Sequence, residues 1–175
     1  MTEIPFRPGQ TALNVPVPEA EPIVAEFRRN HDRAASYGVP AHVTVLFPFL
    51  PVDRVDDGVL GELRRLVGSV PSFELRFERT GRFPDVLFLV PRPGEPLREL
   101  TSWVAARWPE CPAYGGQFAD VVPHLTVAQS SDHEILDRIE RVVTARLAVR
   151  ATVSTVSLIG FDGHRWNRQH EFRLG

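Results

Sequence analysis

The sequence contains no lysine; all 20 of its basic residues are arginine. That excludes a Schiff-base or catalytic lysine, and arginine-only usage is read as a compositional bias of the genome. Cysteine is almost as scarce. Cys111 stands alone, so neither an intrachain disulfide nor a cysteine-based zinc site can form. It reads as an ordinary free thiol in a proline-flanked loop. No apolar run approaches the roughly 20 residues of a membrane span, and the opening MTEIPFRPGQ lacks the apolar stretch of a signal peptide. A cytosolic protein is expected. Neither sign of charge dominates. A formal net charge of −2 argues against a general nucleic-acid coat protein, which needs a broad basic surface. It leaves room for a cleft that takes one nucleotide or a short end. Also missing are G-x-S-x-G, a P-loop, G-x-G-x-x-G, H-x-H and H-E-x-x-H. There is thus no recognisable ATP site and no metal-ligand spacing.

What is present is the composition of a folded chain: 175 residues, 43% hydrophobic and 24% charged. This suits one domain, or two small lobes sharing a core. Thr11–Val17 reads as a strand ended by prolines. Pro18–Asp32 reads as a helix with acidic residues early and arginine late. Asp53–Ser69 is a second amphipathic helix, with Val55, Val59, Leu63, Leu66 and Val67 at helical spacing. Ser72–Thr80 alternates apolar and polar like a half-buried strand, and Gly81 and Pro84 turn it into Val86–Val90. Glu95–Trp108 is helical, and a Pro- and Gly-rich loop follows. Asp132 can cap a helix to Leu147, with Ile135, Ile139, Val142 and Val143 as its stripe. Ala151–Phe161 and Trp166–Leu174 read as a hairpin across Asp162-Gly163.

Two stretches carry the chemistry. His42-Val-Thr44-Val and His124-Leu-Thr126-Val each follow a loop and open a strand. Side chains i and i+2 share a face of a strand. His42 therefore points with Thr44, and His124 with Thr126. Val43, Val45, Phe47 and Phe49 are expected on the buried face, as are Leu125 and Val127. One such motif is weak evidence, since a lone histidine on a strand is more often hydrogen-bonded structure. Two copies fall at corresponding points of two similar halves, approximately 11–92 and 93–175, with Gly81 and Gly160 in similar turns. The pattern predicts an internal duplication, with two lobes about a pseudo-two-fold axis and a ligand cleft between them. Phosphoryl displacement runs in line, with one group taking a proton and another giving one. Imidazole does either near neutrality. A histidine on each side of a phosphate supplies both roles, and threonine hydroxyls can donate to the non-bridging oxygens.

The two motifs and their order resemble the 2H phosphoesterase superfamily, which includes 2′-5′ RNA ligase-like proteins and cyclic phosphodiesterases. Its signature is two H-x-[ST]-x motifs, matched by His42, Thr44, His124 and Thr126 over most of the chain. The resemblance implies an α+β fold of two pseudo-two-fold related lobes, with antiparallel-rich sheets around a central cleft in a single domain spanning 1–175. It implies cleavage of a 2′,3′-cyclic phosphate on an RNA end or small nucleotide, sometimes reversible 2′-5′ ligation, and no metal or other cofactor. His42 and His124 are the expected acid–base pair, in an order left open. Thr44 and Thr126 are the expected phosphate ligands. The rival reading is a non-catalytic binder of nucleotides or RNA ends.

Other residues are candidates on their own terms. Tyr37 and Tyr114 lie in loops shortly before each motif, where either can stack on a base or anchor its loop. Trp166 suits the cleft mouth or the core, whereas Trp103 and Trp108 read as helix packing. Arg28, Arg29 and Arg33 cluster at the end of the first helix, where they could meet an RNA phosphate but suit the helix C-terminus better. Arg165, Arg168 and Arg173 lie on the last strand, where one of them could reach substrate. His31, His133, His164 and His170 have no ligand spacing.

Overall fold

The computed structural model describes residues 6–117 and 120–175. Along them run β1 (Thr11–Pro16), α1 (Glu21–His31), α2 (Arg33–Ser36), β2 (His42–Leu46), α3 (Asp57–Gly68), β3 (Phe73–Phe83), β4 (Val86–Arg92), α4 (Glu95–Arg107), β5 (Leu125–Gln129), α5 (His133–Thr144), β6 (Val149–Val153), β7 (Thr155–Phe161) and β8 (Trp166–Arg173). The strands form two four-stranded sheets. Sheet A has the order β2-β1-β7-β8 and sheet B the order β5-β4-β3-β6, and every pairing is antiparallel. The expected α+β architecture with antiparallel sheets is therefore present.

The helices start and bury as their sequences dictate. Asp56 caps α3, its carboxylate accepting from the Val59 N–H at 2.9 Å. Asp132 caps α5 in the same way through the Glu134 N–H at 3.0 Å. Leu63 and Val67 face inward from α3, and Leu136, Ile139 and Val143 from α5. Val142, assigned to that stripe by spacing, is 39% exposed. Of the helical tryptophans, Trp108 packs edge-on to Phe49, whereas Trp103 is exposed.

One core serves both sheets. Leu13, Val15, Val43 and Val45 of sheet A share a cluster with Leu75, Phe77, Leu87, Leu89, Leu125 and Val127 of sheet B. Each fully buried side chain of this kind contributes about 1.5–3 kcal/mol. The crossover helices bind the sheets together, for α1 lies against β5 and α4 against β2. The buried Thr101 hydroxyl of α4 donates to the Val45 carbonyl at 2.7 Å. A smaller cluster covers the other face of sheet A. It contains Ala12, Val39, Ile159, Phe161 and Trp166, with Phe6, Tyr37 and Phe47 against it.

Four details depart from the sequence reading. Phe47 belongs to this second cluster, not to the main core. The β1–β2 register shifts between Leu13 and Asn14, and β2 ends at Leu46, so strict alternation stops before Phe47. The stretch 151–161 is two strands. It breaks at Ser154, with β6 pairing β3 in sheet B and β7 pairing β1 and β8 in sheet A. Gly81 and Gly160 lie within β3 and β7, not in turns. Finally, sheet A takes β1 and β2 from before residue 92 and β7 and β8 from after it, and sheet B likewise mixes β3 and β4 with β5 and β6. The stretches 11–92 and 93–175 thus do not each close a sheet of their own. Among the described residues, no helix is long and apolar enough to cross a membrane.

Candidate active site

β2 is an edge strand of sheet A and β5 an edge strand of sheet B, and these two edges meet. Each carries one motif. In β2 the even positions His42 and Thr44 are half-buried, while Val43 and Val45 are fully buried. At β5, His124 stands one residue before the strand and shares with Thr126 the face opposite to buried Leu125 and Val127. All four polar side chains line one cleft of about 680 Å3. A larger concavity, about 790 Å3, lies on sheet B among Arg76, Arg79, Arg92 and Arg98 with Glu74, Glu78 and Glu95. It holds neither histidine, so size alone does not locate the chemistry.

The two imidazoles are held alike. His42 Nδ1 lies 2.8 Å from the Pro40 carbonyl, and His124 Nδ1 lies 2.8 Å from the Val122 carbonyl. A carbonyl only accepts, so Nδ1 carries the hydrogen in both rings. In the neutral form each Nε2 then has a free lone pair. Burial lowers the pKa of His42 to about 4, assisted by the Arg28 guanidinium and by His124, against the pull of the Pro40 carbonyl. Burial lowers that of His124 as well, and the Val122 carbonyl and the Asp32 carboxylate offset the shift only in part.

Arg28 and Asp32 form a buried pair, 2% and 4% exposed. Arg28 Nε and Nη2 donate to one Asp32 oxygen at 3.0 and 2.7 Å, and Nη2 also donates to the Val39 carbonyl at 3.1 Å. The other Asp32 oxygen caps α2 through the Ala34 N–H at 3.0 Å. Asp32 lines the cleft. Its carboxyl is raised above the usual range because burial outweighs Arg28 and the backbone donors. Arg28, read from the sequence as a helix-end charge, is therefore an internal one. The i, i+4 spacing of Arg28 and Asp32 was the signal available for this pair.

Tyr114 is brought into the site and Tyr37 is not. The Tyr114 ring stacks on His124, with centroids 6.4 Å apart and planes 22° apart. Its side chain hydrogen-bonds Thr44, and burial raises its pKa. One residue thus touches both motifs. It is held by its N–H donating to the Phe47 carbonyl at 2.8 Å, with a φ of 52° that a bulky residue rarely adopts. Phe83 and Phe88 complete a ring cage, their centroids 5.1 and 5.4 Å from that of His124. Tyr37 packs edge-on against Phe6 and Phe161 and anchors its loop. Arg33 lines the cleft, while Arg165, Arg168 and the buried Trp166 line an adjoining recess on the His42 side. His133 is exposed beside Asp85. Among the described residues, no three His, Cys, Asp or Glu side chains are grouped to hold a metal ion.

Comparison with known proteins agrees with this architecture. A family model described as the 2′-5′ RNA ligase superfamily matches residues 15–165. A Staphylococcus aureus (strain Newman) protein named "Putative phosphoesterase" is 25% identical over 166 residues, covering 91% of this chain and 95% of that protein. Crystal structures of E. coli LigT share the fold. The complex with 3′-AMP has a TM-score of 0.60 at 17% identity, covering 96% of this chain and 99% of that one. The complex with NADP+ has a TM-score of 0.57 at 19% identity, covering 97% and 99%.

Proposed function

Because the chain belongs to the 2′-5′ RNA ligase superfamily, a family of phosphoesterase-type enzymes, we propose that it hydrolyses a cyclic phosphodiester without a metal ion, using His42 and His124 as base and acid. The preferred substrate class is a 2′,3′-cyclic phosphate on an RNA end or a small nucleotide, met in the cytosol. The observation that carries this reading is the matched pair: two imidazoles with Nδ1 tied to carbonyls, and two threonines, on facing edges of one cleft. The nucleotides named in the LigT complexes, 3′-AMP and NADP+, support a nucleotide ligand.

The electrostatics favour an order of roles. Arg28 disfavours a charged His42, whereas Asp32 favours a charged His124. His42 Nε2 then takes a proton from water as its oxygen bonds to phosphorus. The bond from phosphorus to the leaving ribose oxygen breaks, and His124 Nε2–H gives that oxygen its proton. The Thr44 and Thr126 hydroxyls donate to the non-bridging oxygens, where charge builds up. Run in reverse with a ribose hydroxyl as nucleophile, the same pair joins ends without ATP.

The test is hydrolysis of 2′,3′-cyclic nucleotides, and of an RNA ending in such a phosphate, in EDTA. Turnover with a bell-shaped pH dependence, abolished by His42→Ala and by His124→Ala, is the expected result. The product isomer reports which oxygen leaves. Absence of turnover on both substrates at every pH would overturn the reading in favour of a non-catalytic binder.

A further inference from the structure

Asparagine is a poor strand residue, and β1 has one near its middle. Asn14 is 4% exposed, yet its side-chain amide makes no hydrogen bond among the described residues. Across the sheet, Asn14 stands in register with Thr44 of β2 on one side and Ser157 of β7 on the other. Ser157 is 5% exposed, and its hydroxyl also lacks a partner among the described residues. Trp166 lies beside them. It is 5% exposed, and its indole N–H is buried with no acceptor among the described residues. Buried polar groups are almost always satisfied, and each exception needs a reason. The indole N–H is such an exception, and Trp166 lines, with Asn14 and Ser157, one recess of about 350 Å3 that also contains His42, Val39 and Ile159.

We propose that this recess is a nucleobase pocket, in which Asn14, Ser157 and the Trp166 N–H read the edge of the base whose phosphate lies at Thr44 and His42. This rests on the phosphodiester reading only for where the phosphate sits. The chemistry of the lining selects the ligand class. Asn14 offers two donors and an acceptor, Ser157 one donor and acceptor capacity, and the indole one donor. A phosphate only accepts, and no buried cation stands in the lining, because Arg165 and Arg168 are exposed. Ribose hydroxyls would match the polar groups but not the apolar Val39, Ile159 and Trp166 surfaces. A flat heterocycle with donors and acceptors on its rim and apolar faces matches both. Geometry agrees: Ser157 stands two strand spacings from Thr44, about 10 Å, comparable to the span of a nucleoside.

The test is calorimetric binding of the four nucleoside 3′-monophosphates, with ribose 5-phosphate as the base-free probe. None requires turnover, so the result is separable from the hydrolysis assay. Unequal affinities among the four are expected, the best at least about tenfold tighter than ribose 5-phosphate. Ser157→Ala and Asn14→Ala should weaken the best nucleotide by about 3- to 10-fold each, the worth of one neutral hydrogen bond, and leave ribose 5-phosphate unchanged. Trp166→Phe keeps most of the ring area and removes the orphan donor. It should weaken the nucleotide while holding or raising Tm, a combination that a purely structural role does not produce. Equal binding of all five probes would overturn the pocket, as would equal weakening of all five by Ser157→Ala and Trp166→Phe. Base preference that persists in His42→Ala and His124→Ala proteins, beside no hydrolysis by wild type, would uphold the pocket and remove the enzymatic reading.

Discussion

The two half-sites share a backbone and differ in nearly everything around it. Each has an imidazole whose Nδ1 meets a carbonyl at 2.8 Å, and a threonine two residues on. Around His42 lie the field of Arg28 and a recess with polar groups. Around His124 lie Phe83, Phe88 and Tyr114 at ring-contact distance, and the field of Asp32. A repeated motif therefore fixes where the proton-transfer groups point, while the neighbours decide how readily each holds a proton.

The comparison breaks most visibly if only one histidine matters. His42→Ala and His124→Ala should each lower kcat/KM by about 10²–10⁴-fold, the range for a general acid or base. The double variant should fall little further, because the two act as a unit. Steady-state kinetics on a cyclic nucleotide measure all three. A large loss for one and none for the other would end the two-histidine account.

The Arg28–Asp32 pair is the next largest lever. Asp32→Asn takes from a buried guanidinium its close counter-charge, leaving Glu21 at 4.0 Å, and should cost about 3–5 kcal/mol in urea unfolding. It also removes the carboxylate that raises the pKa of His124, so the descending limb of the kcat/KM profile should move to lower pH. Arg28→Met removes the cation that lowers the pKa of His42, so the ascending limb should move up. In wild type the ascending limb is expected near 4 and the descending limb below the ordinary histidine value of 6.5. The optimum is thus acidic, and both substitutions narrow it. The limbs belong to the coupled pair rather than to either ring alone.

The same shifts govern stability. Both folded-state pKa values are lowered, so above pH 6.5 neither ring adds or removes stability. As pH falls towards 4, the unfolded chain binds protons that the folded chain refuses, and stability drops. His42→Gln should flatten Tm against pH across that window more than His124→Gln, because only His124 has a carboxylate that offsets its burial. Equal flattening would erase the electrostatic difference between the half-sites.

Much of this site was legible in the sequence because strand alternation is local. The i, i+2 rule placed His42 with Thr44 and His124 with Thr126 on one face without knowledge of pairing. The helices were legible for the same reason, with Asp132 capping where spacing put it. What stayed hidden depends on contacts distant in the chain. Ser154 carries no turn signature, so one apolar run concealed strands of two sheets. Asn14 and Ser157 become a pair only when β1 and β7 are neighbours. Arg28 looked like a solvated helix end because nothing local shows that α1 is covered there. Tyr37 and Tyr114 looked equivalent by position, and the fold sent one to an aromatic anchor and the other to the cleft.

Gly81 and Gly160 offer the smallest and sharpest test of the difference between the sheets. Both sit within strands. A Cβ on Gly81 would fall 2.5 Å from Cε2 and 2.6 Å from Cζ of Phe88. That ring is 5% exposed and packs against Phe83 and His124, so it cannot yield without disturbing the cage. A Cβ on Gly160 would meet the Gln169 side chain at 3.2 Å. Gln169 is exposed and flexible, so it can swing aside. Gly81→Ala should therefore cost about 1–3 kcal/mol as overpacking does, and lower kcat through a displaced His124. Gly160→Ala should stay within about 0.5 kcal/mol of wild type and leave kcat alone. Thermal unfolding and single-turnover rates on both variants decide the matter. If Gly160→Ala proves as costly as Gly81→Ala, tight packing is general to both sheets and the cage around His124 has no special rigidity. If only Gly81→Ala is costly, the aromatic side of the cleft is the rigid half against which the polar side works.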